Sequence, residues 1–230
     1  MATSAARLAR EVVCGQLLAE GWQILHASAV INPGGATVLA LGDKGAGKTT
    51  CGFLLVRAGW RLLANDRVFV RVEGDPVRVL PWPSAAAIGF GLLDEPVRRR
   101  LLAGEMMHPT QHQRVTEALI AERQPLWKTS GKELKPQFYP DQLTTWLGMY
   151  LSVEGHAAAL LFPQIKARAE LSLSDEKRGV QDGDFFNAST EDRYPDVFGL
   201  LSVTSPRPPC PKGSLPCHTS RSSWDVYGRE

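Results

Sequence analysis

Apolar positions in the first third of the chain change period several times, and each change marks an element. Leu8, Val12, Leu17 and Leu18 fall on or near one face of an amphipathic helix over about 4–20. Residues 23–31 read as a strand, closed by the turn Asn32-Pro33-Gly34-Gly35. Ala36-Thr37-Val38-Leu39-Ala40-Leu41 is a short apolar run of the kind that forms a buried strand. After a glycine-rich stretch, apolar residues from Thr50 to Ala58 recur at helical spacing, and Gly59 supplies the C′ stop. Trp60-Arg61-Leu62-Leu63-Ala64 returns to strand and ends in Asn65-Asp66. Residues 67–72 alternate with period two, Glu73-Gly74-Asp75-Pro76 turns the chain, and Val77-Arg78-Val79-Leu80 is the expected hairpin partner.

Beyond Pro83 the spacing predicts helices over 84–90, 96–102 and 113–121, and a short one opened by Tyr139-Pro140-Asp141 and running to Leu147. Residues 157–162 before Pro163 predict a buried strand, with 167–173 as its candidate neighbour. From Ser205 the chain becomes rich in Pro and Ser and loses its apolar period. The expected division is a domain over 1–205 and a disordered tail over 206–230.

Composition narrows the classes. With 43% hydrophobic residues, 22% charged residues and a formal net charge of +2, the chain reads as an ordinary globular domain. That charge is too small to argue for nucleic acid or a membrane surface, so neither is expected as a partner. No run approaches the roughly 18–20 apolar residues of a membrane span, and residues 1–16 lack the apolar core of a leader. A cytoplasmic location is expected. It suits four cysteines, Cys14, Cys51, Cys210 and Cys217, with no paired spacing. Cys210 and Cys217, beside His218, are too far apart for a usual zinc pair.

The chemistry lies in the glycine-rich stretch. Gly42-Asp43-Lys44-Gly45-Ala46-Gly47-Lys48-Thr49 matches G-x-x-x-x-G-K-[ST], the phosphate-binding P-loop. Its flanks, a strand before and a helix after, are the ones the chemistry requires. Glycines let backbone N–H groups converge, and the helix N-terminus adds positive potential. Lys48 reaches the β- and γ-phosphates, and the Thr49 hydroxyl can ligate Mg²⁺. The expected ligands are ATP or GTP together with Mg²⁺, held by residues 42–49 and Thr50.

Two further features qualify that motif: Leu25-His26-Ala27-Ser28-Ala29-Val30 upstream of it, and Gly59-Trp60-Arg61-Leu62-Leu63-Ala64-Asn65-Asp66 downstream. In this order and spacing they resemble the C-terminal catalytic domain of HPr kinase/phosphorylase. They resemble still more the HPr-kinase-like ATP-binding proteins of bacterial natural-product clusters. The resemblance covers about 20–82 and continues more faintly to about 165. It implies an α/β fold with a twisted mixed sheet, flanking helices and a core of the phosphoenolpyruvate carboxykinase type. The chain departs from true HPr kinases where Asn65 replaces the first of two aspartates and Thr50 replaces an acidic residue. No Arg-Gly-rich segment follows Val77. These departures argue against HPr itself as the substrate.

The resemblance implies an ATP- and Mg²⁺-dependent kinase acting on a hydroxyl acceptor: a small metabolite, a peptide Ser/Thr or a natural-product intermediate. The rivals are a nucleotide-binding regulatory module and a P-loop enzyme using ATP for another step, such as ligation. Asp66 is expected to take the acceptor's proton, to ligate Mg²⁺ together with Thr49, or both. The resemblance gives His26 the role of supporting that carboxylate and tuning it toward working pH, and Lys48 completes the catalytic set. Asp66 is expected on a strand next to the P-loop strand. Lys44 faces either nucleotide or solvent, and Arg67 is expected in solvent by alternation. Arg98-Arg99-Arg100 reads as a solvated fan rather than a phosphate clamp. Trp82, Phe90 and Trp127 wall a pocket or fill the core. Homo-oligomerisation is left open.

Overall fold

The structure, a computed structural model, describes residues 2–73, 76–82, 84–105, 113–129, 131, 133–165, 170, 172, 174 and 178–185. Helix α1 (Ala2–Ala19) leads into β1 (Gln23–Leu25), β2 (Ser28–Ile31), β3 (Thr37–Ala40) and α2 (Lys48–Arg57). Then follow β4 (Arg61–Ala64), β5 (Val68–Val72), β6 (Val77–Pro81), β7 (Ala86–Ala87), α3 (Glu95–Leu102) and α4 (Gln113–Glu122). Short strands β8 (Leu126–Trp127), β9 (Glu133–Leu134) and β10 (Gln137–Phe138) precede α5 (Pro140–Leu147) and β11 (Gly155–Leu161). Single 3-10 turns occupy Phe90–Leu92 and Asp182–Asp184.

Several of these elements carry their cause locally. In the turn between β2 and β3 the Asn32 side chain accepts from the Ala36 N–H at 2.8 Å, and Gly35 takes φ +90°. Helix α2 stops where expected, with Gly59 at φ +91° just past Ala58. Helix α5 starts at Pro140, and the Gln142 side chain reaches back to the Tyr139 N–H at 2.8 Å.

Seven strands form one mixed sheet in the order β1-β5-β6-β11-β3-β2-β4. Among the pairings between these seven strands, β3–β11 is the parallel one, and Leu62 of β4 adds an isolated parallel bridge to Leu151. The connections force the sheet to curl. β1 lies at one edge and β2 next to the other edge, yet only His26 and Ala27 separate them. β4 and β5 stand equally far apart in the sheet, and Asn65, Asp66 and Arg67 join them. Two links this short can be made only if the opposite edges of the sheet approach each other.

Alternation then sorts the side chains. Ala29, Ile31, Leu39, Leu63, Val68, Val70 and Val79 share the core inside the curl. Val30 and Leu62 point the other way, onto Phe53 and Val56 of α2 and the Leu93, Leu101, Phe138 and Leu143 cluster. Phe69 meets Trp22 and Cys14 beneath α1. Helix α1 therefore buries Cys14 and packs Leu17 and Leu18, but leaves Leu8 and Val12 exposed, so the apolar stripe is shorter than expected.

Three other expectations need correction. The single strand over 23–31 is broken at His26-Ala27, because its two halves join different ends of the sheet. Residues 84–90 are not helical; β7 pairs with β10 there, and Ile88 N–H continues the pairing to the Pro136 carbonyl at 3.1 Å. Strand β11 lies inside the sheet, between β6 and β3, but His156, Ala158 and Ala159 along it are exposed. The stretch 167–173 falls mostly, and the tail 206–230 wholly, outside the described residues. Among the described residues no helix is long and apolar enough to cross a membrane.

Helix α2 sits tightly on the sheet at Gly52. A Cβ there would lie 2.4 Å from Ser28 Oγ, whose residue is 1% exposed. Gly52→Ala would gain up to about 1 kcal/mol in helix propensity, but overpacking costs about 1–3 kcal/mol, so a net loss is expected. Thermal melts should show Gly52→Ala below wild type, with Ser28→Ala in the same chain restoring part of the loss. Additive effects of the two substitutions would show that the helix has shifted to make room.

Candidate functional site

Strand β3 delivers the chain through Leu41 into a turn where Gly42, Gly45 and Gly47 take φ of 131°, 93° and 105°. Only glycine adopts such a run of positive φ without strain. Gly47 is doubly constrained: a Cβ there would come within 2.6 Å of the Ile165 side chain. Gly47 is also the N-cap of α2 and offers no side-chain cap. The first N–H groups of the helix are thus presented to the loop rather than to a side-chain oxygen. Asp43, Lys44 and Gly45 form the exposed tip, while Ala46, Thr49 and Thr50 are half-buried around the base.

Lys48 opens the helix and is 7% exposed. Its Nζ donates to the Gly42 carbonyl at 2.5 Å and to the Asp43 carbonyl at 3.0 Å. Burial pushes the ammonium's pKa below its ordinary value, against the opposing charges of Asp66, Asp43 and Asp184. A buried cation folded back onto carbonyls of its own loop can accept an anion in their place.

Asp66 arrives at the end of β4, where the curl brings the two edges of the sheet together. β1 with β5 and β2 with β4 are two ladders of one long antiparallel ribbon, paired at Leu25↔Val68 and at Ala29↔Ala64. Continued inward, that register sets His26 and Ala27 opposite Arg67 and Asp66, in the gap where the ladder is interrupted. His26 Nε2 stands 3.4 Å from Asp66 Oδ1. Asp66 does not follow a strand adjacent to the loop's strand, contrary to expectation, because β2 separates β4 from β3.

Arg67 is not in solvent. Its Nε is 3.4 Å from Asp66 Oδ2, and its guanidinium lies 5.2 Å from the Trp82 ring centroid. Trp82 in turn stacks on Phe69 at 5.2 Å. The bend at Asn65-Asp66 breaks the alternation on which the solvent assignment rested.

Burial raises the Asp66 carboxyl pKa, but the hydrogen bond and charge of His26, followed by Arg67 and Lys48, outweigh it and hold the group below its ordinary value. His26 therefore does not tune Asp66 toward neutral pH; it keeps the carboxylate ionised. A lowered carboxylate pKa contributes stability that is present above the unfolded value and lost as pH falls through the folded one. With Asp66 half exposed, solvent screens the effect. Asp66→Asn should lower stability slightly at neutral pH and flatten the acid limb, the two stability–pH curves converging as pH falls through the folded pKa. An unchanged acid limb in denaturant titrations would argue against the ion pairs.

One participant was not anticipated. Asp184, 6% exposed, ends the 3-10 turn Asp182–Asp184, and its carbonyl accepts from the His26 N–H at 2.8 Å. Its carboxylate accepts from the Gln181 N–H and from Arg178. Leu25 bridges to Phe185 beside it. The only sequence signal was the turn-forming Asp182-Gly183 pair before an aromatic residue.

The remaining candidates belong to the scaffold. Arg98 pairs with Glu95 and lies over Phe90, Arg100 pairs with Glu105 and lies over Trp146, and Arg99 is exposed. Phe90 packs against the helical core, whereas Trp127 is 63% exposed. Burial raises the Cys51 thiol's pKa, leaving it a packing group in α2. No protein-family model matches this chain, and no curated protein matches it in sequence.

Proposed function

We propose that this chain is an ATP- and Mg²⁺-dependent phosphotransferase acting on a hydroxyl acceptor, with residues 42–49 as its phosphate-binding P-loop. The observation that carries the reading is the glycine loop with Lys48 buried at its base, folded onto the Gly42 and Asp43 carbonyls, beside a carboxylate, Asp66, whose charge bears on that ammonium. An HPr-kinase-like core is the fold reading that accords with this arrangement.

The loop fits a polyphosphate. Three positive-φ glycines leave a concavity free of Cβ atoms, uncapped N–H groups face it, and a buried ammonium stands at its base. Mg²⁺ also fits. Among the described residues no three His, Cys, Asp or Glu side chains form a metal cluster. Nucleotide-bound Mg²⁺ needs only one or two protein oxygens beside phosphates and water, and the Thr49 hydroxyl and Asp66 carboxylate would supply them. When bound, Mg²⁺ would offset the charge that develops as the phosphoryl group leaves.

The chain's own groups do the positioning. Lys48 and the loop N–H groups hold the β- and γ-phosphates, and the acceptor hydroxyl lies in line with the bond to the leaving ADP oxygen. As the hydroxyl oxygen bonds to phosphorus and the bond to ADP breaks, the hydroxyl proton passes to Asp66. A carboxylate with a lowered pKa is a weak base, which suits a loose transition state in which little proton transfer is required before bond cleavage. His26 and Arg67 keep that carboxylate ionised and oriented.

The direct test has two parts: melting with and without Mg·ATP, and transfer of labelled γ-phosphate to a panel of hydroxyl compounds. A raised Tm with phosphate found on an acceptor supports the reading. A raised Tm with no transfer to any acceptor supports a regulatory nucleotide-binding module. An unmoved Tm at saturating nucleotide removes both.

A further inference from the structure

We propose that Arg178 is the second cation of this site, held by Asp184 and Phe162 to engage the terminal phosphate of the nucleotide; the inference deepens the phosphotransferase reading and rests on it. The segment after β11 runs beside the glycine loop at both of its ends. Leu41 N–H donates to the Leu161 carbonyl at 2.8 Å, and Ile165 N–H donates to the Ala46 carbonyl at 3.0 Å. Phe162 lies between these two anchors, and the Arg178 guanidinium sits 4.3 Å from its ring centroid. Arg178 is thereby placed along the flank of the loop, although it stands far from the motif in sequence.

The second hold comes from Asp184. Arg178 Nη2 donates to its Oδ1 at 3.1 Å and Oδ2 at 3.3 Å, and to Gln181 Oε1 at 3.4 Å. The same residue's carbonyl is bonded to the backbone of His26, so Arg178 is tied to the catalytic pair on one side and to the loop on the other. Asp184 is also close enough to Lys48 for its charge to bear on the ammonium.

Arg178 remains one-third exposed, and all three of these contacts use a single nitrogen. A guanidinium carries five N–H donors in a planar fork, so its hold on Asp184 leaves donors for phosphate oxygens. Arginine is the side chain best shaped for two-point phosphate contact. The bland alternative is that Arg178 only neutralises a buried carboxylate.

The two roles differ in what they do to ATP relative to ADP. Isothermal titration of wild type, Arg178→Ala and Arg178→Lys with Mg·ATP and Mg·ADP reads that ratio directly. Loss of a charged contact to the γ-phosphate should weaken ATP binding of Arg178→Ala about tenfold or more, with ADP little changed. Arg178→Lys should fall between, since it keeps the charge and loses the fork. Removing Arg178 leaves Asp184 charged and buried, so a lower Tm is expected in either case. If Arg178→Ala does not fold, Arg178→Lys and the pair Arg178→Ala with Asp184→Asn carry the measurement. Equal weakening of both nucleotides, or none, overturns this inference alone. Wild type that binds neither nucleotide overturns the site reading and this inference with it.

Discussion

Asp66→Asn is expected to lower phosphoryl transfer by roughly 10²–10⁴-fold, the range general-base catalysis supplies, while Mg·ATP binding persists within several-fold. Asparagine keeps the size of the side chain and one oxygen that can ligate a metal, but it cannot take a proton. On the proposed reading, nucleotide affinity rests mainly on Lys48 and the loop, which the substitution leaves in place. Single-turnover assays beside equilibrium titration separate the two effects. Loss of binding and turnover together would make Asp66 chiefly a metal ligand and send the search for a base elsewhere. His26→Ala should give a smaller loss of the same kind. It should also move the acid limb of the pH–rate profile upward, because His26 helps hold the Asp66 carboxyl below its ordinary range.

Lys48→Ala is expected to abolish the nucleotide-induced rise in melting temperature without destabilising the free protein. At a hundredfold excess of ligand over Kd, wild type should gain about 2.7 kcal/mol, which is roughly 5–11 °C for a chain of this size. The variant loses the buried cation that meets the phosphates, so that gain should vanish. The free protein should hold its Tm or exceed it, because burial already disfavours the charged ammonium and the two carbonyls it bonds can turn to water. A variant that melts well below wild type without nucleotide would show that Lys48 braces the loop, and the lost shift would then prove little about phosphate binding.

The candidate site was partly legible because part of it is local. Residues 42–59 carry strand, glycine turn, lysine and helix in one stretch, and each step follows from short-range sterics: positive φ at glycine, helical spacing after Lys48, a left-handed stop at Gly59. The 68–81 hairpin is equally local, since alternation and a turn suffice to register its strands. His26 and Asp66 were recognised as candidates but placed wrongly, one inside a strand and the other next to the loop's strand. The bend at His26-Ala27 answers no residue preference; it follows from the demand that one ribbon serve both ends of a curling sheet. Arg67 was misplaced for the same reason.

What the amino-acid sequence determined by itself is the inventory: a glycine loop that only glycine can form, a lysine at the start of a helix, two candidate side chains, and the helices expected over 96–102, 113–121 and from Tyr139-Pro140-Asp141 to Leu147, each found within a residue of those bounds. Tertiary structure alone decided how the inventory is assembled. It inserted β11 between β6 and β3, converted 84–90 from helix to a strand and a 3-10 turn, and closed the curl that sets His26 against Asp66. It also brought Arg178 onto the Phe162 ring and Asp184 to His26, more than a hundred residues away. Local choices depend on φ and ψ at a few residues and are written in the residue types. The long-range ones depend on how much apolar surface each pairing buries in the whole molecule, and no window of sequence holds that quantity.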